Sequence, residues 1–405
     1  MRIAYLSVRY GEGVHGGAES ACRSLAEHLA ALGVDVEVHT TCATDTTTWA
    51  DHLPPGTTVE GGVTVHRHRV ASGRHPRFEA HSGPVLAARV GQRDPAGRRW
   101  IEEQGPVCPA AVDAALASAA DLVVATPYLY WPTVEVVRRA GARVVLHPAA
   151  HDEAAIRLPL FAATFAGAGG LAFYTDAERR LVERLFPAVS ASPQLVCGLG
   201  VDPPAPPLLD PEAFRAAHHL GDDPYLLYLG RVDEGKGTAV LNRFFAAYKL
   251  RRPGPLRLVY AGPVIQAPTP GGDVRVVGPV SDTLKWSALA GATALAMPSV
   301  NESFSIVVLE AWLAGRPVLV NARGAAISEH TRRAGGGLAF AGYASFEAAL
   351  DRLVGDPALA GALGRAGRAY TEASFAWEVV TRRYRDWLER VAGRTAGPGR
   401  RPPIH

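Results

Sequence analysis

Short apolar segments alternate with longer amphipathic segments along most of the 405-residue chain. Short apolar runs bounded by glycine, proline or polar residues are typical of buried strands, and helical spacing marks the stretches between them. Strands are therefore predicted at 2–8, 34–40, 63–70, 121–126, 143–148, 171–174, 194–197, 225–230, 256–262, 274–278, 294–299 and 317–321. Strands that alternate with helices predict parallel sheets covered on both faces, an α/β fold.

A proline-rich segment divides this alternation into two series. Residues 198–211 lack a periodic apolar pattern and read as a linker. We therefore predict two Rossmann-like domains, at 1–200 and 201–380. Residues 381–392 are predicted to form a C-terminal helix that packs back on the first domain, and the composition of 393–405 predicts a disordered tail.

The composition limits the class of protein. The chain is 48% hydrophobic and 20% charged, which is ordinary for a globular protein, and its net charge of +3 is too small to indicate nucleic-acid binding. No apolar run reaches the roughly 18 residues of a membrane span. The N-terminus lacks the pattern of a signal peptide, and the four widely spaced cysteines are expected to be reduced and mostly buried. A cytoplasmic protein is expected.

A glycine-rich loop, "GEGVHGGAES" at 11–20, lies between the first predicted strand and the first helix. Glycines let backbone N–H groups approach a phosphate, and the following helix N-terminus adds partial positive charge. The spacing is not that of the dinucleotide-binding fingerprint. Both an anion site and a simple tight turn remain open for this loop.

A charged loop, "YLGRVDEGKG" at 228–237, follows the first strand of the second domain. Ligands in open α/β sheets bind beyond the carboxyl ends of strands. Arg231 and Lys236 suit a diphosphate there, because arginine binds two oxygens at once and lysine supplies a point charge. The alternative is a charged loop that is merely solvated.

A third stretch, "NESFSIVVLEAW" at 301–312, contains two glutamates. Its pattern is typical of a loop that enters an apolar helix. Glu302 is expected just ahead of the helix, and Glu310 lies eight residues further on, near the same face. Free N–H groups around Ser305, Ile306 and Val307 are candidates for binding phosphate. A buried carboxylate needs hydrogen-bond donors, and sugar hydroxyls are suitable. The alternative is a helix cap at Glu302 and a solvated Glu310.

A fourth stretch, "LHPAAHDEA" at 146–154, places His147, His151, Asp152 and Glu153 after a strand of the first domain. The spacing is not that of a zinc site, and no metal is predicted. A histidine that points at a ligand as a hydrogen-bond donor is favoured over a structural one.

Together these stretches resemble the retaining glycosyltransferases of family 4, whose GT-B fold sets two Rossmann-like domains across a cleft. The resemblance runs from Met1 to about Val391 and rests on Glu302-x7-Glu310, the Gly-Arg-x4-Lys-Gly loop, "GGAES" and "HDE". One departure is Ser303-Phe304-Ser305, where the family usually has Gly-Phe-Gly. That difference bears on the donor sugar, not on the fold.

The resemblance implies roles for individual residues. Arg231 and Lys236 would neutralise the donor diphosphate, Glu302 would lie near the donor sugar and Glu310 would bond the nucleotide ribose. His151, rather than His147, would contact the transferred sugar, while Val280 and Lys285 would line the base. The implied catalytic residues are Glu302, Arg231, Lys236 and His151, and the implied donor-binding residues are Gly16, Gly17, Val280, Lys285, Ser305, Ile306, Val307 and Glu310.

The implied activity is that of a hexosyltransferase-type enzyme. A sugar would move from a nucleotide diphosphate sugar to an acceptor hydroxyl with retention, without metal or cofactor. The acceptor stays open and is a glycan, a lipid-linked glycan or a small natural product. The donor base and the donor sugar also stay open. Peripheral attachment to a membrane is allowed. A GT-B nucleotide-sugar epimerase and a non-catalytic sugar-nucleotide binding protein are the alternatives.

Overall fold

The structure is a computed structural model that describes residues 1–14, 16–87, 95–269 and 271–395. The chain forms two compact units. The first comprises Met1–Gly200 together with the residues from Val380 onward, and the second comprises Val201–Val379.

The first unit contains an eight-stranded sheet. Its strands are β1 (Arg2–Ser7), β2 (Asp35–Thr41), β3 (Gly56–Glu60), β4 (Val63–His68), β5 (Leu122–Thr126), β6 (Val144–Leu146), β7 (Gly170–Phe173) and β8 (Gln194–Val196). Their spatial order is β3-β4-β2-β1-β5-β6-β7-β8. All neighbours pair in parallel except β3, which is antiparallel to β4.

Helices connect these strands. They are α1 (Gly17–Ala31), α2 (Phe78–Ala87), α3 (Pro95–Gln104), α4 (Pro109–Ala117), α5 (Trp131–Ala140), α6 (Pro159–Gly167) and α7 (Asp176–Leu185). The sequence assigned no element to 74–105, yet the structure places α2 and α3 there. Pro84 lies inside α2, which weakens the local signal for a helix.

The second unit contains a six-stranded, fully parallel sheet. Its strands are β9 (Tyr225–Leu229), β10 (Arg257–Ala261), β11 (Val274–Gly278), β12 (Ala294–Met297), β13 (Val318–Asn321) and β14 (Gly337–Phe340), in the order β11-β10-β9-β12-β13-β14. Its helices are α8 (Pro211–Ala217), α9 (Thr238–Arg251), α10 (Asp282–Gly291), α11 (Ile306–Leu313), α12 (Ala325–Ala334), α13 (Tyr343–Gly355) and α14 (Pro357–Phe375). The prediction of an α/β fold with two parallel sheets is confirmed.

Burial explains why most strands were visible in the sequence. Every residue of β5, β9 and β12 is buried, as expected for strands covered by helices on both faces. The structure adds β3 and β14, which the sequence pattern did not indicate. β3 is the exposed edge strand, so it lacks the apolar run that marks a central strand.

The last helix, α15 (Trp377–Thr395), returns the chain to the first unit. Tyr384 is buried there, with its ring centroid 5.7 Å from that of His147. A Cβ placed on Gly170 would lie 3.1 Å from the ring of Trp387, which shows how closely α15 packs on β7. Residues 396–405 of the predicted tail lie outside the described residues.

All four cysteines are buried and unbonded. Among the described residues, no helix is long and apolar enough to cross a membrane.

Candidate active site

The strand order of the second unit creates a topological switch point between β9 and β12. The chain runs outward from β9 to β10 and β11, then returns to β12 on the other side of β9. The loops that leave β9 and β12 therefore start side by side at the carboxyl edge of the sheet. Such a switch point is where ligands bind in open α/β sheets. The loops are residues 230–237 and 298–305, which overlap the two stretches at 228–237 and 301–312 that the sequence analysis singled out.

The loop after β9 is shaped by glycine and by Asp233. The Asp233 carboxylate accepts hydrogen bonds from the Arg231 guanidinium and from the backbone N–H of Lys236. Gly237 has a φ of +76°, and a Cβ there would lie 2.7 Å from the carbonyl oxygen of Pro298. Only glycine lets this loop approach the loop after β12 so closely.

An ion pair joins the two loops. The Lys236 Nζ donates to Oε1 of Glu302 at 2.7 Å. The lysine side chain is 32% exposed and the glutamate side chain 14% exposed, so the pair lies at the surface end of the switch point. On the same loop the Arg231 side chain is 59% exposed and accessible to a ligand. The structure thus brings Arg231, Lys236 and Glu302 to one edge.

The start of α11 is strained. Ser305 caps this helix at a φ of +70°, where residues other than glycine are uncommon. Its hydroxyl oxygen is buried and finds no hydrogen-bond partner among the residues that the structure describes. The N–H groups of Ile306 and Val307 follow in the first turn, where a helix supplies no acceptor for them. This helix end therefore presents N–H groups that have no acceptor within the helix, a few residues after Glu302 in the chain.

Glu310 is held by a second lysine. The Lys285 Nζ, on α10, donates to Oε1 of Glu310 at 2.8 Å and lies 2.6 Å from Oδ1 of Asp282. Burial alone lowers the pKa of Lys285, but the two carboxylates outweigh it and the net pKa is raised. Lys285 is therefore a fixed positive charge at neutral pH. Val280 lies half-buried two residues ahead of α10.

The chain contains only three lysines, Lys236, Lys249 and Lys285. Two of them pair with the two glutamates spaced eight residues apart. Glu310 is therefore tolerated inside an apolar helix because Lys285 neutralises its charge, which offsets the free energy needed to bury a carboxylate. Asp233 and Asp282 were missed from the sequence, although each lies three residues before a lysine. Asp282 pairs with the Lys285 side chain, and Asp233 accepts from the Lys236 backbone N–H.

In the first unit, the glycine loop surrounds a buried ion pair. The Arg9 guanidinium donates to Oε1 of Glu19 through Nε at 3.0 Å and Nη2 at 2.5 Å. A Cβ on Gly16 would lie 2.2 Å from Oε2 of Glu19, so a side chain at this position would have to displace the Glu19 carboxylate. Gly17 begins α1. The sequence analysis missed this pair because Arg9 and Glu19 are separated by the loop itself.

A cavity of about 450 Å³ lies beside this loop. Its lining includes Gly11, Gly13, Thr57, Glu60 and Arg67. Nη2 of Arg67 lies 2.7 Å from the Glu60 carboxylate. The first unit thus has its own recess beside the glycine loop, with the Arg67–Glu60 ion pair in its wall.

The two candidate histidines differ in environment. His147 is fully buried, its Nε2 lies 3.4 Å from Sγ of Cys197, and burial lowers its pKa to about 3. His151 is half-buried, with Nε2 3.5 Å from the Glu153 carboxylate. The neutral, enclosed His147 has a structural setting, whereas the His151 ring is accessible.

Glu178 positions the backbone ahead of His151. Its carboxylate accepts hydrogen bonds from the N–H groups of Ala150 and Tyr174, each at 2.7 Å. The Thr175 hydroxyl accepts a hydrogen bond from the Glu178 N–H and so caps the start of α7. Burial raises the pKa of Glu178 to about 8 against the opposing effect of these N–H donors.

Comparisons with known proteins identify a family model, related sequences and solved structures that are similar to this chain. Residues 223–356 match the family model for Glycosyl transferases group 1. The chain is 26% identical over 411 residues to a D-inositol 3-phosphate glycosyltransferase of Arthrobacter sp. (strain FB24), covering 93% of this chain and 92% of the relative.

Solved structures share the fold over nearly the whole chain. Sucrose-phosphate synthase from Thermosynechococcus elongatus superposes with a TM-score of 0.70 at 20% identity, covering 97% of this chain and 99% of the other. Anabaena HepE in complex with UDP and glucose gives a TM-score of 0.64 at 14% identity, covering 96% and 100%.

The fold is GT-B, and the protein is an enzyme, a glycosyltransferase. The predictions of fold and enzyme class are confirmed at this level.

Proposed function

We propose that the protein is a retaining glycosyltransferase of family 4 that takes its donor at the switch point of the second unit, without a metal ion or cofactor. The observation that carries this proposal is the Lys236–Glu302 ion pair, 2.7 Å long, which brings a cation and a carboxylate from two loops to the strand ends. Arg231 lies on the same loop with most of its side chain exposed.

The positive groups at this edge suit a diphosphate. Arg231 supplies a planar, always charged donor, and Lys236 supplies a point charge. The unused N–H groups of Ile306 and Val307 add the partial positive charge of a helix N-terminus. Preorganised donors of this kind stabilise the negative charge that develops as the diphosphate leaves, typically by about 3 kcal/mol each. Protein groups therefore take the role that a metal ion has in other transferases.

The carboxylates suit the sugar parts of the donor. Glu310 has one oxygen held by Lys285, which leaves further lone pairs for ribose hydroxyls. Val280 lies just ahead of α10, and Lys285 lies near its start. These two residues are proposed to line the base. Glu302 is proposed to bond the donor sugar, and His151, with its accessible ring, to contact the same sugar. Gly16 and Gly17 are proposed to bring backbone N–H groups to phosphate.

Retention is proposed through front-face attack. The leaving phosphate accepts the proton of the acceptor hydroxyl while that hydroxyl forms the new bond to the anomeric carbon. The bond from that carbon to the diphosphate oxygen breaks on the same face. Arg231 and Lys236 hold the diphosphate in place during this exchange, so that it remains close enough to act as the base.

The comparisons favour UDP as the nucleotide and a phosphorylated polyol or sugar as the acceptor. Solved structures with this fold contain UDP and glucose or UDP-2-fluoro glucose, and the related sequences are D-inositol 3-phosphate glycosyltransferases. The recess beside the glycine loop, with Arg67 in its wall, is the proposed acceptor site. A cytoplasmic location is proposed from the four buried, unbonded thiols.

The test is nucleoside diphosphate release from a panel of UDP-, GDP-, ADP- and dTDP-sugars, with and without inositol 3-phosphate and with and without EDTA. We expect release from one UDP-sugar, acceleration by the acceptor and no effect of EDTA. An α-configured product from an α-configured donor would establish retention. Loss of release with EDTA, restored by one metal ion, would overturn metal independence. Binding of no nucleotide sugar, measured by thermal shift across the panel, would overturn the donor site.

A further inference from the structure

Three ligand-bearing side chains meet on one face of the first sheet, outside the proposed donor site. Glu37 and His39 are two residues apart on β2, so they point to the same face. His66 of β4 pairs directly with His39 in the parallel register, which puts its side chain beside the other two. Leu6 of β1 pairs with His39 in the parallel register and lies on the same face. Leu6 packs in a hydrophobic core that includes residues of α4.

The ligand atoms of the three residues lie within 4.8 Å of one another, and each histidine lies at a distance from Glu37 that suits two ligands of one ion. Nε2 of His39 lies 3.5 Å from one carboxylate oxygen of Glu37, and Nε2 of His66 lies 3.8 Å from the other. Two atoms that each lie about 2.1 Å from a tetrahedral ion are roughly 3.4 Å apart. The observed separations are close to that value and longer than ordinary hydrogen bonds.

The outer nitrogens of both rings are held in place. Nδ1 of His66 lies 2.9 Å from the hydroxyl of Thr57 on β3, and Nδ1 of His39 lies 3.4 Å from Nε2 of His68. When each Nδ1–H donates outward, each Nε2 presents its lone pair to Glu37. Outer hydrogen bonds of this kind orient metal-ligating histidines.

The inner atoms are held only loosely. His39 is only 4% exposed, and its Nε2 and Oε1 of Glu37, 3.5 Å apart, are both buried and make no hydrogen bond within the described part of the chain. An unsatisfied buried polar atom costs about 1–3 kcal/mol, so two adjacent ones need an explanation. A cation between them would satisfy both at once.

A second histidine cluster lacks these features. His75, His81 and Glu103 also place three ligand atoms within 4.8 Å of one another. Glu103, however, already pairs with Nδ1 of His81 at 3.1 Å and with the Arg99 guanidinium at 2.7 Å. This is an ordinary ion-pair network whose carboxylate is already neutralised, and it provides a matched control.

We propose that Glu37, His39 and His66 form a binding site for a divalent transition-metal ion of the Zn²⁺ class, with two imidazole nitrogens and one carboxylate as ligands. The His66 and Glu37 side chains are 28% and 19% exposed, which leaves room for water in the remaining positions. The ion ties β2 to β4 near the sheet edge and has no part in donor binding. It lies outside the stretches in which the sequence analysis considered a metal.

Zinc binding to the full-length protein tests this proposal. The protein is stripped with EDTA, dialysed and titrated with Zn²⁺ by calorimetry, and Co²⁺ replaces Zn²⁺ for an absorption spectrum of the bound ion. The variants are His66→Ala and Glu37→Gln, with His81→Ala as the control. His66 and Glu37 are chosen because both are partly exposed, and thermal melts in EDTA verify that each variant folds.

We expect one Zn²⁺ site whose dissociation constant rises at least tenfold in His66→Ala and Glu37→Gln and is unchanged in His81→Ala. Thr57→Val, which removes only the outer hydrogen bond, should weaken binding by about 10- to 100-fold. The proposal is overturned if the wild-type protein shows no stoichiometric binding, or if binding survives in His66→Ala and disappears in His81→Ala. Nucleoside diphosphate release should be the same in His66→Ala as in the wild type.

Discussion

Lys236→Ala separates a role in catalysis from a role in stability. The substitution removes the ammonium group that joins the loops after β9 and β12 through Glu302. It leaves the backbone N–H of residue 236, which donates to the Asp233 carboxylate, so the loop keeps this internal hydrogen bond. The loop glycine that approaches Pro298 is also unchanged. The variant should therefore fold and lose only the charge.

The structure sets the two expected magnitudes. The lysine side chain is 32% exposed, and partly exposed pairs of this kind contribute about 0–1 kcal/mol to stability. One preorganised donor to a developing charge contributes about 3–4 kcal/mol to the transition state, roughly a 10²- to 10³-fold change in rate. The effect on turnover should therefore exceed the effect on folding several-fold in free energy.

Lys249→Ala is the matched control, since it removes the same charge from the same unit. The Lys249 Nζ donates to the carbonyl of Leu256 at 3.1 Å and also to that of Gly254, away from the switch point. It should lower stability by about 1.5–3 kcal/mol and leave turnover unchanged. The assays are nucleoside diphosphate release and urea unfolding. A Lys236→Ala variant with turnover within threefold of wild type would refute the donor-site reasoning.

Further predictions concern neighbouring positions. Arg231→Ala should lower turnover at least 100-fold, whereas Arg368→Ala, which breaks an exposed pair on α14, should not; equal rates in both variants would remove Arg231 from the site. Glu310→Gln should weaken UDP binding by about 1–2 kcal/mol, measured by calorimetry, because it weakens hydrogen bonds to the ribose; unchanged affinity would place the ribose elsewhere. Ser305→Gly should raise the free energy of unfolding by about 1 kcal/mol, because it removes a strained φ and an unpaired hydroxyl; a loss of stability in urea unfolding would show that the hydroxyl is needed.

The sequence alone was sufficient for the central strands and for the loops that follow them. β9 and β12 are apolar throughout because both faces are covered, and that requirement is local to each strand. Gly230, Arg231, Lys236 and Gly237 were recognisable because one loop carries all of them. The edge strand β3 and the helices α2 and α3 were not recognisable, because partly exposed elements need no continuous apolar pattern.

Only the tertiary structure decided which charges meet. Lys236 and Glu302 are 66 residues apart, and Lys285 and Glu310 are 25 apart. Their contact depends on β12 pairing with β9 rather than with β11, a choice of strand order that no local pattern carries. Glu37, His39 and His66 likewise come together through the parallel register of β2 and β4. A residue's type and neighbours set what chemistry it can perform, but the sheet order and register bring distant side chains within a few ångströms of one another.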